Sequence, residues 1–219
     1  MSQDKIMNYK SECEYSIKLM SKLTKNSKKI LDFAKIEEAI YWARKYHDGQ
    51  MRKTGEPFYS HPLEVASMVS DYFFNTEAIV ASILHDIVED TEVTIDMVFQ
   101  EFGTRVAKMV YYLTRIRFGE KLEVQVVLRE LVSLNDEETL VIKIMDRKHN
   151  MQTIHGMKDY KQRKKIDETL HEIIACCIYL ENHKLESDLL KIISFANKNL
   201  IEEDKIKEFS KQQQILSPF

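Results

Sequence analysis

The sequence predicts an all-α protein, and three observations carry that expectation. Only five glycines and three prolines punctuate 219 residues, too few for the many tight turns of a sandwich or barrel. Apolar residues recur at three- and four-residue spacing along most of the chain, and no convincing strand stands out. Hydrophobic residues make up 44% and charged ones 31%, enough for a sizeable core inside a solvated shell.

The elements follow in order. Residues 1–35 form an N-terminal helical extension, with Tyr15, Ile17, Met20 and Leu23 at helical spacing. Ile36, Ala39, Ile40, Ala43 and Tyr46 mark an amphipathic helix that Gly49 can end. QMRKTGEPFYS is a loop, punctuated by Gly55 and Pro57. Pro62 suits the first position of the next helix, LEVASMVSDYFF, which puts His61 at its N-cap. Thr76 caps a helix that runs through HDIVED and is apolar almost all round, so it belongs at the centre. Thr94 starts another helix, Gly103 ends it, and Thr104 caps VAKMVYYLTR. A helix over roughly 120–134 follows. Asn135-Asp136 breaks the chain, and ETLVIKIMDRKHNM resumes as a buried helix. Helices over about 160–184 and 186–208 complete the chain, with QQQILSPF as a frayed tail. The domain reading is a core of residues 36–185, with the extension before it and residues 186–219 packed on it as a C-terminal helix and tail.

Composition excludes several classes of function. The net charge of −3 gives no global field for nucleic acid. No apolar run is long enough for a membrane span, and the polar N-terminus lacks a secretory h-region. Cys13, Cys176 and Cys177 form no C-x-x-C pair and read as reduced thiols, which predicts a cytoplasmic protein.

HDIVED is the informative stretch. His85, Asp86, Glu89 and Asp90 interrupt the most apolar part of the chain. On one helix, His85/Glu89 and Asp86/Asp90 would share faces. Burying several carboxylates without counter-charge costs on the order of several kcal/mol each, so a cation or a wet cleft is expected. The problem recurs at Asp146, which follows Ile142, Ile144 and Met145 with Asn150 one turn on. His61, at a helix start, closes a third segment. His61, His85, Asp86 and Asp146 thus form a candidate ligand set for Mn²⁺, Fe²⁺ or Zn²⁺. Glu89 and Asp90 could orient or deprotonate a water there. His47, His149, His155, His171 and His183 read as structural or solvated, and Tyr111-Tyr112 as core. The basic run Lys161, Arg163, Lys164 and Lys165 reads as a solvated face.

The blocks HDGQMRKTGEPFYSHPLEVA, LHDIVEDTEVT and LVIKIMDRKHNMQT, in that order, resemble the hydrolase domain of the RelA/SpoT alarmone family, a branch of the HD-domain phosphohydrolases. The likeness covers about residues 36–185. It implies an all-helical HD-domain bundle that hydrolyses the 3′-pyrophosphate of ppGpp and pppGpp with Mn²⁺. It also implies His61, His85, Asp86 and Asp146 as metal ligands and Glu89 and Asp90 as the pair handling the water. Arg52, Lys53, Asn150 and Thr153 become substrate contacts. Lys148 departs from the family pattern, which more often has an apolar residue there, and the stretch between Thr114 and Asp146 is short. The chain ends soon after this region, so the resemblance implies a stand-alone small alarmone hydrolase. Two rival expectations stand beside it. One is an HD phosphatase for another phosphorylated nucleotide such as NADPH; the other is a module that binds alarmone without turnover.

Overall fold

Ala78 to Leu84 are seven consecutive residues without one exposed side chain, and the first half of the fold is arranged round them. The computed structural model describes residues 13–25, 31–117 and 119–216. It divides into two compact units, residues 1–149 and 150–219. In the first, α1 (Glu14–Lys25), α2 (Phe33–Tyr46), α3 (Ser60–Val69) and α4 (Thr76–Leu84) precede a short helix, α5 (Ile87–Asp90). Then come α6 (Ile95–Phe102), α7 (Thr104–Leu113), a small hairpin of β1 (Ile116–Arg117) and β2 (Glu120–Lys121), α8 (Val124–Ser133) and α9 (Glu137–Gln152). Helix α4 packs on α2, α3 and α7, as its all-round apolar surface requires. Each fully buried Ile or Leu contributes about 1.5–3 kcal/mol, and this anchors the polar end of α4 inside the protein.

Several boundaries depart from the sequence reading for local reasons. Asn75, not Thr76, caps α4, its side chain accepting from the Ala78 amide. The helix also stops at Leu84 and does not run through HDIVED, because Asp86 adopts φ −100°, ψ −7°, the bridge region outside regular helix. Helix α3 starts at Ser60 and ends at Val69, so His61 lies inside the first turn and Pro62 one residue later. Proline is tolerated there because first-turn amides have no intrahelical acceptor. In α1 the buried side is Ser16, Leu19 and Leu23, leaving Ile17 half-exposed. Gly103 ends α6 with φ 85° while Thr94 caps its start, as expected.

The hairpin was not expected. Its register, Ile116 with Lys121 and Arg117 with Glu120, leaves a two-residue connection containing Gly119 at φ 82°, the conformation tight hairpins need. Two-residue strands carry no periodicity to read. Buried Arg117 fastens the hairpin, pairing with Glu130 at 2.6 Å and lying over the half-buried Tyr111 and Tyr112 rings.

In the second unit, α10 (Asp159–Glu168), a π turn (Thr169–Ile173) and α11 (Ile174–Tyr179) form the helix expected over 160–184. Glu181, at φ 52°, turns the chain into α12 (His183–Leu216), so the helix runs on into the expected tail; residues 217–219 lie outside the described residues. Among the described residues no helix is long and apolar enough to cross a membrane, and Cys13, Cys176 and Cys177 form no disulfide there.

A polar clamp joins the starts of three helices. Arg105 donates to both Asp136 oxygens (2.6 and 2.8 Å) and to Glu138 (2.8 Å). Asn75 donates to the other Glu138 oxygen at 2.8 Å. Partial burial works against the Asp136 charge, but Arg105 and the Thr139 amide outweigh it and hold its pKa below the usual value. A depressed carboxylate pKa stabilises the fold above the unfolded value of about 3.9 and loses that contribution as pH falls through the lower folded value. Arg105→Ala should therefore destabilise the protein by about 1–2 kcal/mol at pH 7, the guanidinium being partly screened by solvent. Urea melts of wild type and variant should converge below pH 3; an undiminished gap there would overturn the assignment.

Candidate metal centre

The break after α4 sets the first candidate ligand. The last carbonyls of a helix lack intrahelical donors, and His85 supplies one: its Nδ1 donates to the Ser82 carbonyl at 2.8 Å. That bond fixes the ring, turning Nε2 away from the helix end. Nε2 is fully buried and makes no hydrogen bond, although Asp86 Oδ2 lies 3.1 Å away. The distance satisfies an ion pair, but the direction does not satisfy an N–H donor. A lone pair aimed at a cation fits this atom better.

The other groups converge on it. His61 Nε2 stands 3.2 Å from Asp146 Oδ1 and 3.6 Å from Asp86 Oδ2, and His85 Nε2 is 3.7 Å from Asp146 Oδ1. One ligand atom from each of His61, His85 and Asp86 falls within a 4.8 Å cluster. Ligands about 2.0–2.2 Å from a common ion lie roughly 3.0–3.6 Å apart in octahedral or tetrahedral arrangements. The observed separations match such edges. Two neutral imidazoles and two carboxylates also sum to the charge that one divalent cation cancels. The donor set thus fits a borderline or hard divalent ion.

The electrostatics say the same. Burial opposes a charge on His85, yet Asp86 and Asp146 outweigh it and push its pKa up to about 10. Burial likewise opposes ionisation of Asp86, but His85 holds its pKa low, and Lys143 does so first for Asp146. Without a cation the carboxylates thus favour the charged form of His85, the same demand for positive charge that an ion would meet. Burial lowers the pKa of His61, leaving that ring neutral.

Two neighbours escaped the sequence reading. Lys143 is buried one turn before Asp146, its ammonium 3.4 Å from Asp146 Oδ2 and 3.4 Å from the Leu113 carbonyl. His149, read as structural or solvated, places Nδ1 2.8 Å from His61 Nδ1. Burial, with His61 and the Arg52 charge close by, pushes its pKa down to about 3. The legible signal was spacing: 143, 146 and 149 are i, i+3 and i+6, one side of α9. His47 is also buried, tilted on Phe58 and bonded to Gln50 at 2.9 Å, whereas His155, His171 and His183 are exposed.

The remaining predicted residues are distributed less evenly. Arg52 is half-buried; burial lowers its pKa while Asp86 and Asp146 raise it, which places the guanidinium within reach of the cluster's field. Lys53 is exposed on the same loop. Asp90 is exposed at its surface, but partial burial and then the Asp86 and Glu89 charges push its pKa up to about 6. Glu89 is tied to the hairpin, accepting from Lys121 Nζ at 3.0 Å and the Arg115 amide at 3.1 Å. The expected His85/Glu89 and Asp86/Asp90 faces of one continuous helix are replaced by the turn at His85-Asp86. Asn150 and Thr153 belong to the second unit, where the Thr153 hydroxyl donates to the Asn150 carbonyl at 3.5 Å.

Comparison with known proteins gives the family. A family model described as HD domain matches residues 39–175. Over 134 residues, 58% of the chain, the sequence is 37% identical to a guanosine-3′,5′-bis(diphosphate) 3′-pyrophosphohydrolase of Haemophilus influenzae, covering 20% of that protein. It is 32% identical over 161 residues to the bifunctional (p)ppGpp synthase/hydrolase SpoT of Escherichia coli, covering 71% of this chain and 23% of that one. It is 39% identical over 144 residues to a GTP pyrophosphokinase of Streptomyces coelicolor, covering 64% and 17%. The chain thus spans about a fifth of the length of the curated relatives it matches. A solved structure described as a metazoan orthologue of SpoT that hydrolyses ppGpp superposes with a TM-score of 0.64 at 24% identity, covering 76% of this chain and 97% of that one; at that identity it speaks for the fold.

A divalent ion should bind at this cluster and stabilise the fold. At one hundred times the dissociation constant the gain is about 2.7 kcal/mol, visible as a raised Tm. Because His85 must give up a proton to ligate, calorimetry at pH 7 should show close to one proton released per ion, read from the dependence of enthalpy on buffer. Asp146→Asn should weaken binding with the fold intact. Unchanged affinity in that variant would remove Asp146 from the ligand set.

Proposed function

The chain belongs to the HD-domain family, and from that premise we propose that it hydrolyses the 3′-pyrophosphate of ppGpp and pppGpp, releasing pyrophosphate and GDP or GTP. The observation that carries the reading is the buried convergence of His61, His85, Asp86 and Asp146, with Arg52 and Asp90 in its field. The likeness to pyrophosphohydrolases of this substrate gives the substrate class. All six residues lie inside the matched segment 39–175.

The chemistry is divided among the residues of the site. A divalent ion, with Mn²⁺ the assignment preferred here, supplies Lewis acidity that acidifies water and offsets phosphate charge. His61, His85, Asp86 and Asp146 hold it. Asp90, with a pKa of about 6, takes a proton from the attacking water near neutral pH. The new bond joins the water oxygen to the phosphorus on O3′; the bond from that phosphorus to O3′ breaks, and O3′ leaves as the ribose hydroxyl, taking up the proton that Asp90 received. Arg52 and Lys53 contribute positive charge for the bound nucleotide, the guanidinium through a fork contact or stacking, and Asn150 and Thr153 keep their assignment as nucleotide contacts. Glu89, held by Lys121 and the Arg115 amide, fixes the backbone that carries Asp90 and shares in orienting the water.

With Mn²⁺ and ppGpp, labelled products should separate as GDP and pyrophosphate. Asp90→Asn should lower kcat by roughly 10²–10⁴-fold with Mn²⁺ affinity kept. The wild-type kcat should rise with pH as Asp90 loses its proton, the basic form being the active one, with a midpoint at or below about 6 because a bound cation would offset the Asp86 charge that helps to raise it. Lys53→Ala should cost on the order of tenfold to a hundredfold in kcat/KM. Orthophosphate release, or a preference for NADPH in side-by-side kinetics, would replace this reading with a phosphatase for other nucleotides. Tight ppGpp binding without product would replace it with a binding module.

A further inference from the structure

Two ring nitrogens 2.8 Å apart share one proton: one ring donates and the other accepts. His61 Nδ1 and His149 Nδ1 stand at that distance, with ring centroids 4.8 Å apart. The opposite nitrogen of His61, Nε2, lies at hydrogen-bond distance, 3.2 Å, from Asp146 Oδ1 and 3.6 Å from Asp86 Oδ2; a carboxylate only accepts, so Nε2 donates there while no ion is bound and must give that proton up to ligate one. A neutral imidazole can ligate through Nε2 only if its proton sits on Nδ1. His149 Nδ1 is the atom that can accept it.

We propose that His149 is a positioning residue for the metal centre: it holds His61 in the Nδ1–H tautomer and turns the ring so that the Nε2 lone pair faces the ion that the two carboxylates would share. The assignment rests on the metal-centre reading above and adds to it. It explains a difference between the two imidazoles. His85 is oriented by a backbone carbonyl, that of Ser82, which substitution does not remove. His61 sits in the first turn of α3, where its own amide donates to the Phe58 carbonyl at 3.1 Å, and its ring takes its acceptor from a side chain on α9. His149 lies three residues after Asp146 on that helix, so α9 carries one ligand and the group that aims another. Second-shell partners of this kind commonly change metal affinity by 10–100-fold when removed.

The alternative proton arrangement is specific. If His149 Nδ1 donates, His61 Nδ1 accepts, and His61 Nε2–H points at Asp146, a state in which His61 cannot ligate. Long-range ¹H–¹⁵N correlation spectra of the full chain loaded with diamagnetic Zn²⁺ read the tautomer directly. His61 should be protonated on Nδ1; protonation on Nε2 overturns the proposal without any variant being made. Mn²⁺ affinity, followed by the loss of the free-ion EPR signal, should fall 10–100-fold in His149→Leu and largely recover in His149→Asn, whose Oδ1 can accept at the same place. His149→Leu binding Mn²⁺ as tightly as the wild type, or His149→Asn as weak as His149→Leu, overturns it. A wild type that binds neither Zn²⁺ nor Mn²⁺ overturns the metal-centre reading itself, and this inference with it.

Discussion

Four electron-pair donors packed edge to edge, with His61 and His85 almost wholly buried and the carboxylates of Asp86 and Asp146 mostly so, are the constraint on which the rest of the first unit depends. Such a cluster repels itself unless positive charge is brought in. The protein supplies part of it: Lys143 stands against the outer oxygen of Asp146, and Arg52 lies within reach of both carboxylates. The charged form of His85, which the carboxylates favour, supplies more without a cation. A divalent ion completes the balance, because the four groups with both imidazoles neutral carry two negative charges.

Holding these groups together requires a rigid frame, and the apolar helix α4 provides it. Its seven consecutive buried residues cannot shift without losing packing on α2, α3 and α7. The site is built where that helix stops. Ending α4 at Leu84 frees carbonyls for the His85 ring, and the bridge conformation of Asp86 redirects the chain so that Asp86 stands beside His85. A helix continued through HDIVED would keep His85 and Asp86 about 100° apart round its axis and would bury Glu89 and Asp90 or expose them by helical position alone. The turn instead lets Glu89 reach the hairpin and Asp90 the surface.

The sequence made the helical class, the order of elements and the four donor residues readable, because each rests on a local signal. Thr94 and Gly103 bracket α6, apolar residues surround α4, and carboxylates stand out among Ile and Val. What it concealed depends on contacts distant in the chain. The break at His85-Asp86 has no glycine or proline to announce it; the ring of His85 caps the helix instead. The hairpin is two residues deep and fastened by Arg117 to Glu130, thirteen positions away. His149 gave no sign by composition, since its partner His61 is 88 residues earlier, although its spacing from Lys143 and Asp146 was in plain view.

That spacing bears on how such a centre divides its labour. Helix α9 sends Lys143, Asp146 and His149 to one side at successive turns: a cation beside one oxygen of the carboxylate, the carboxylate whose other oxygen faces the imidazoles, and a ring placed against His61. Three residues on one rigid element thus fix the position, charge and hydrogen bonding of groups that come from two other helices. Moving α9 along its axis by a fraction of a turn would misplace all three together. The clamp of Arg105 on Asp136 and Glu138 sets that axial position from the far end of the helix. Nothing in its own surroundings, a partly exposed ion-pair network, would mark it as bearing on the cluster.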